Sequence, residues 1–530
     1  MKKEPTRRAR RGLLLACGLA VAALASPVLA AQEVVQGLME LRWGDPKGGA
    51  GEPARPSRFT ATLVTDDGRR IALEPGHAKR AAGDFYALAN RRVAIEFVAQ
   101  QKSSRLREAS VIVPADRLSI APQDTKRVMA AAPVSGNTRW VTLMCKFADV
   151  LDEQKDVLFF QSQYGTAQGL LGHYWNEVSY GKVTLTNSSA HGWYTLPHPR
   201  STYITGTGDD EDADLSRLFK DCSAAADAEV SFSGVQGINL MFNGNLDGSA
   251  WGGGSCAPLD GVNTCKRVTW NPPWAFSNLA PLAHEMGHGY GLPHSDNSDG
   301  DDDTYDNPWD VMSSAWSNAV RDATFGTLPK HMNIYQRERL AWLDAARKVS
   351  IPANNTNRVQ IALDYASLGT SSNAQMVVIA LPDQAEPYRN VIYTLEARMP
   401  TGSYESKLAG TAVIIHELKS LGTARSMDAD VPPANVSNNQ GSMFKVGESR
   451  VSPDPLSSHW VVVESATATG FIVSVGPKPR ATGGPSKPRV APSPVAAAQP
   501  PKPAAPPPVV EPAADARRDG GQRRPRRSER

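Results

Sequence analysis

Residues 282–294 read Leu-Ala-His-Glu-Met-Gly-His-Gly-Tyr-Gly-Leu-Pro-His, and the spacing of the three histidines decides how the rest of the chain is read. Asn278 offers a helix N-cap, and Pro281 falls within the first turn, where a missing N–H is harmless. At about 100° per residue, Leu279, Leu282 and Met286 form one stripe. His284 and His288 form another, roughly opposite. The pattern predicts a helix that packs on one side and presents two imidazoles on the other, with Glu285 beside them. Gly291 can take a left-handed conformation and turn the chain, and Pro293 marks the helix as ended. Such a reversal returns His294 to the same point in space.

Three neutral imidazoles suit Zn²⁺ with a fourth position open to water. The metal lowers the pKa of that water toward about 7, and a carboxylate beside a ligand can take its proton. His284, His288 and His294 are therefore read as metal ligands and Glu285 as the catalytic base. With only ten His and 43 Gly in the chain, this five-residue spacing arises by chance with odds on the order of one in 10⁵. A purely structural zinc site has no need of a base, so Glu285 favours catalysis.

The run fits H-E-x-x-H-x-x-G-x-x-H at every fixed position and resembles the metzincin zinc metallopeptidases. The resemblance implies a Met-containing turn beneath the metal, and Trp309-Asp310-Val311-Met312-Ser313 fits it, with Met312 as the methionine. Ser179-Tyr180-Gly181-Lys182, the stretch from Tyr305 to Met312, and Arg339-Leu340-Ala341-Trp342 look most like bacterial immune-inhibitor-A-type and gametolysin-like peptidases. This likeness covers roughly residues 136–346, with an echo at 393–396 and 413–416. There are departures. Some metzincins place a Tyr two residues after the Met, and here that position is Ser314. Ser295 follows the third His as in matrixins, yet residues 31–135 hold no cysteine-switch motif, so latency through a thiol on zinc is not expected. The resemblance also implies an edge strand that holds an extended substrate. Residues 267–270 (RVTW) are read equally as that edge or as an ordinary buried strand.

Asp296, Asp299, Asp301, Asp302, Asp303 and Asp306 crowd the loop between His294 and Met312, and a second acidic run spans 209–214. Loop carboxylates of this kind suit Ca²⁺, but the spacing is not that of an EF-hand, and a solvated acidic loop is the other reading. His173, His191 and His198 lack a second ligand at matching spacing and are read as structural. His416, in an apolar run, is read as a core histidine.

The rest of the chain divides by composition. Residues 1–30 carry six Lys/Arg and one acid, followed by an apolar run and small residues at 28–30. That is the plan of a removable signal peptide. Residues 31–135 read as β-rich, with strands at 59–64, 70–73 and 92–98 and turn signals at Asp67-Gly68 and Pro75-Gly76. This segment is read as an accessory module or a pro-domain. Residues 136–346 are the catalytic domain, with strands at 140–147, 182–185 and 237–242 and helices at 156–177 and 214–230. Residues 347–477 form a C-terminal β-domain. Residues 478–530, rich in Pro, Ala and Arg, cannot bury a core and are read as disordered. The expectation is an α+β protein: a metzincin-like catalytic domain, mixed sheet plus active-site helix, between N- and C-terminal β-rich domains.

The net charge of +3 hides +5 in residues 1–30 and +8 in residues 478–530, which leaves −10 for the part that folds. An acidic body excludes a nucleic-acid binder. The basic tail is either a contact for anionic surfaces or a solvated spacer. Four cysteines remain after Cys17 leaves with the signal. Of three pairings, Cys256–Cys265 with Cys145–Cys222 is favoured, in keeping with an oxidising compartment. The sequence thus points to a secreted or periplasmic zinc endopeptidase acting on protein or peptide. A surface-binding, adhesin-like protein with a vestigial zinc site, or a zinc hydrolase of cell-wall peptides, stands as the alternative.

Overall fold

The structure, a computed structural model, describes residues 33–48, 56–98, 105–117, 133–300, 303–380, 391–418, 422–429, 440–451 and 459–477. Residues 1–30, read as a signal peptide, residues 478–530, read as a disordered basic tail, and Asp301 and Asp302 lie outside the described residues. The chain is mixed α and β, and strand outweighs helix.

Near the N-terminus, strands β1 (Val34–Pro46), β2 (Arg58–Thr65) and β3 (Arg70–Ala72) precede helix α1 (Pro75–Ala82), β4 (Arg92–Phe97) and β5 (Ala109–Pro114). The alternation that predicted strands at 59–64, 70–73 and 92–98 reflects β2, β3 and β4. Pro75-Gly76 is not a turn but the first turn of α1. Proline at N1 gives up no hydrogen bond there, and the Glu74 carboxylate accepts from Gly76 N and His77 N. These elements close around their own apolar cluster, whose members all lie between Val35 and Ile112.

The next layer holds β6 (Trp140–Lys146), α2 (Val157–Gln163), α3 (Leu171–Val178), β7 (Ser189–Thr195), α4 (Leu215–Ala226), β8 (Gly237–Phe242), β9 (Ser249–Leu259), β10 (Val262–Asn271) and α5 (Leu279–Gly289). The helix expected over 156–177 is two helices. The break falls between Gln163 and Leu171, where Gly169 takes the left-handed conformation at φ +89°, and the close packing of Gly172, whose Cβ would meet the Tyr164 carbonyl oxygen at 2.6 Å, seats the start of α3 against that connection. Asp214 caps α4 by accepting from Arg217 N at 3.0 Å.

Ten strands make one sheet, in the order β3-β2-β1-β9-β10-β8-β6-β7, with β4 and β5 attached beside β1. The N-terminal segment and residues 140–271 therefore share a sheet. Residues 267–270 lie in β10, inside that sheet between β9 and β8, so of the two readings the ordinary buried strand is the one found. The rim of the strands from β6 to β10 is β9, and β1 covers it. One face of the sheet buries α4 and the other buries α2, α3 and α5. Both favoured disulfides are present, Cys145–Cys222 between β6 and α4 and Cys256–Cys265 across the β9–β10 hairpin.

Beyond these come β11 (Asp296–Asn297), α6 (Ile334–Arg339), β12 (Lys348–Pro352), β13 (Val359–Asp364), β14 (Met376–Ala380), β15 (Val391–Arg398), β16 (Ala412–Leu418), β17 (Ala424–Ser426), β18 (Ser449–Val451), β19 (His459–Ala466) and β20 (Gly470–Pro477). They form a six-stranded sheet, β11-β17-β16-β15-β14-β12, and a four-stranded sheet, β13-β20-β19-β18. The two enclose a common apolar core. The six-stranded sheet takes β11 from the loop that follows His294, so this β-domain is joined to the neighbourhood of the histidines. No helix among the described residues is long and apolar enough to cross a membrane.

Candidate metal centre

Helix α5 begins after Asn278, but the Asn278 side chain does not cap it. Its Oδ1 accepts from Thr327 N and its Nδ2 donates to Trp274 O. Every residue of α5 is buried. The expected two-sided helix is therefore covered all round: Leu279, Leu282 and Met286 face the core, and β1 and β9 close over the histidine side. Close approach of β9 depends on Gly252, where a Cβ would lie 2.8 Å from His288 Cβ.

The helix ends in a left-handed turn. Gly291 has φ +89°, Leu292 N donates to Gly287 O at 3.1 Å, and Gly291 N donates to His288 O at 2.9 Å. This reversal carries His294 back. The Nε2 atoms of His284 and His288 are 3.0 Å apart, those of His288 and His294 3.1 Å, and those of His284 and His294 3.3 Å. The Nδ1 atoms of two rings are engaged elsewhere, His284 with Val311 O at 2.6 Å and His288 with Leu292 O at 2.7 Å. A carbonyl can only accept, so Nδ1 carries the proton and Nε2 bears a lone pair. Lone pairs that converge in this way, away from water, repel one another unless a cation lies among them. Burial pushes His288 down to about 3, which keeps it in the neutral form a metal requires.

Met312 sits under the helix. It is fully buried, and a side chain at Gly287 would collide with its sulfur. The turn around it also positions two ligands. Val311 O holds His284, while Asp310 accepts from Met312 N at 2.8 Å and from Ser295 Oγ at 2.9 Å, next to His294.

Nothing in the local pattern marked the fourth member. Asp45, near the end of β1, enters the group with Oδ1 2.8 Å from His294 Nε2 and Oδ2 3.2 Å from His288 Nε2 and 3.3 Å from His284 Nε2. Asp45, His284, His288 and His294 are all buried, and each offers one ligand atom within 4.8 Å of the others. They could hold a metal ion, and among the described residues they are the only group of His, Cys, Asp and Glu so placed. Burial opposes a charge on Asp45, but the charge that the His294 and His284 imidazoles carry when protonated overcomes it and holds the carboxyl well below its usual range, and against its own burial the Asp45 charge raises His284; a metal ion would take the place of that proton. Glu285 lies alongside with Oε2 buried and unpaired. Burial, with the Asp45 charge next to it, pushes its carboxyl well above the usual range. Asp45 Oδ2 and Glu285 Oε2, buried without a hydrogen bond, together with the converging lone pairs of His284 and His288, are what an apolar surround leaves unsatisfied when a cation belongs there.

Tyr305 is a further neighbour. Its hydroxyl donates to Asp45 Oδ1 at 2.6 Å, and its ring packs 5.4 Å from that of His294. Burial and the Asp45 charge push its pKa well up, so it remains a donor. Ser314 brings no such group: its Oγ accepts from Ser317 N and its carbonyl from Lys330 Nζ.

The remaining sites fall elsewhere. Asp296, Asp299, Asp303 and Asp306 do not come together as a metal-sized group; Asp306 accepts from Asn297 N, and Asp303 from Tyr305 N. In the run 209–214, Glu211 pairs with Arg200 and Asp214 caps α4. His173 contacts Tyr404 Oη, His191 contacts Ser189, and His198 packs near Tyr203, so none reaches the centre. His416 is fully buried, with Asn307 Nδ2 3.4 Å from its Nε2. Compared with known protein families and curated proteins, the chain matches no family model and no curated sequence.

Proposed function

We propose that this protein is an exported zinc-dependent endopeptidase of the metzincin type. What supports the reading most is the convergence of three Nε2 atoms within 3.3 Å of one another, with the Glu285 carboxyl adjoining them. A structural site would have no use for that carboxyl. Soft ligands are absent from the group, and three imidazoles suit zinc. The Met312 turn beneath the ligands and the Gly291 reversal fit the same reading. The N-terminal charge pattern and the two disulfides agree with export to the periplasm or the medium.

Zinc, when bound, supplies Lewis acidity and an activated water at the position that the three histidines leave open. Glu285 takes the proton from the attacking water and delivers it to the departing amine. The Tyr305 hydroxyl, which donates to Asp45 Oδ1, would be the donor for the negative charge that develops on the substrate carbonyl oxygen once that carboxylate is displaced. The Val311 and Leu292 carbonyls hold His284 and His288 in the ligating tautomer.

The test combines metal analysis with hydrolysis of casein by the full-length chain and by Asp45→Ala. One zinc per chain and chelator-sensitive cleavage are expected. Glu285→Ala in the same backgrounds keeps the metal and slows cleavage by about 10²-fold or more. A zinc-loaded Asp45→Ala chain that never cleaves casein, or a Glu285→Ala variant as fast as its parent, would refute the assignment.

A further inference from the structure

We propose that residues 33–117 act as a built-in occupant of the substrate groove, with β1 lying where an extended peptide lies and the Asp45 carboxylate taking the open metal position. The inference rests on the zinc site proposed above and adds to it both the direction in which a substrate binds and a means of holding the enzyme latent.

Three observations carry it. The first is strand addition. β1 runs antiparallel to β9, with Arg42 opposite Gly253, Trp43 opposite Gly252, and Asp45 opposite Ala250. β9 is the catalytic strand nearest the metal helix, and its rim is where an extended peptide can gain main-chain hydrogen bonds. The register sets Asp45 beside the histidines, at the point where the reacting bond of a peptide would stand. Asp45 offers there a side-chain carboxylate rather than a backbone amide, and a carboxylate can ligate without being hydrolysed.

The second is the fit of β1 to the groove. The indole of Trp43 stacks on His288 at 4.7 Å with an interplanar angle of 5°. Gly44 lies flat on Trp251, where any Cβ would come within 2.7 Å of the ring. Arg42, buried, donates to Gly254 O at 3.0 Å and to Ser255 Oγ at 2.9 Å. Tyr305 holds the Asp45 carboxylate from the opposite wall.

The third is that this segment can leave as a body. Its apolar cluster contains no residue from beyond position 112, so its core does not depend on the catalytic strands. What binds it to the rest is the β1–β9 ladder, the packing of Trp43 on His288 and of Gly44 on Trp251, and polar links such as Arg339–Asp84 at 2.9 Å and Arg58–Asp247 at 2.7 Å. Residues 31–135 lack cysteine, so a thiol cannot mask the metal. A carboxylate does so instead.

The experiment compares three full-length chains, the parent, Asp45→Ala and Asp45→Asn, each loaded with zinc. The probe is a peptide hydroxamate that chelates zinc, and its binding is followed by fluorescence alongside metal content and casein cleavage. An occupied metal position lowers apparent affinity by the fraction of molecules in which it is open. The expected result is one zinc per chain throughout, with hydroxamate binding at least about tenfold tighter in both variants than in the parent. Asp45→Asn preserves shape, so it decides the matter if Asp45→Ala fails to fold. Equal hydroxamate affinity in parent and variants overturns the proposal, as does loss of zinc from both variants, which would make Asp45 a permanent ligand. Tighter binding without any casein cleavage leaves the occupant in place and refutes the peptidase reading alone.

Discussion

Tyr305 and Gly291 show how unevenly single residues announce themselves. Gly291 was legible because its spacing from His288 and His294 leaves a left-handed turn as the economical way to close the group, and φ is +89° there. Tyr305 was not: nothing in its local pattern sets it apart from a core aromatic, and it is folding of the acidic loop that brings it to the metal ligands. Its hydroxyl is the one donor described here that points at the Asp45 oxygen. Tyr305→Phe, in the Asp45→Ala chain, should lower kcat by about 10²-fold and leave KM nearly unchanged, since the missing donor acts on charge that develops late. Steady-state kinetics on a fluorogenic peptide measure this; a change confined to KM would place Tyr305 in substrate binding instead. Asp45 escaped notice for a related reason. A single Asp before a Pro reads as a strand end, and only tertiary pairing carries it to the histidines.

At the level of elements, strands with one apolar face and the fully apolar β8 were read correctly, and so was α5. β1 was missed because Glu40 and Arg42 are buried where alternation would put solvent-facing residues, and Asp45 interrupts the opposite, apolar face of Met39, Leu41 and Trp43. Glu40 and Arg42 satisfy each other at 2.9 Å, and Glu40 also pairs with Arg70, so both faces of the strand are closed. Whether β10 was an edge or a buried strand stayed open because its partner β9, rich in Gly, carries a weak strand pattern. The Cys145–Cys222 bond ties β6 to α4 across a sequence separation of 77 residues. Loop-closure entropy for a span of that size corresponds to about 4 kcal/mol. The paired Cys145→Ala and Cys222→Ala substitutions should therefore lower the stability by roughly 4 kcal/mol, against about 3 for the nine-residue separation of Cys256 and Cys265. Chemical denaturation of the two double variants tests the order.

Across the whole molecule, the metal centre and the C-terminal sheets are one structure. Arg398 donates to Trp309 O at 2.8 Å, Trp309 Nε1 donates to Ser442 Oγ at 2.7 Å, and His416 faces Asn307. All of these hold the turn that contains Met312. His416 also sets an acid limit. Burial, with Arg398 nearby, pushes its pKa from an ordinary 6.5 down to about 3. Below pH 6.5 the unfolded chain binds a proton that the folded one refuses, so stability falls as pH drops from 6.5 toward 3 and is fully retained above it. The slope from this one residue is about 1.4 kcal/mol per pH unit. His416→Gln should flatten the decline by that amount between pH 6 and pH 4, as read from urea midpoints; an unchanged slope would show that His416 titrates normally. The C-terminal sheets are thus a foundation under the metal, whereas the self-contained N-terminal core is a stopper. If the stopper is drawn, the Gly252-Gly253-Gly254 rim of β9 is left with bare amides and carbonyls, and such an edge takes up whatever strand is at hand. On the proposed function, the freed chain would then be drawn to extended peptides, and at high concentration to its own kind.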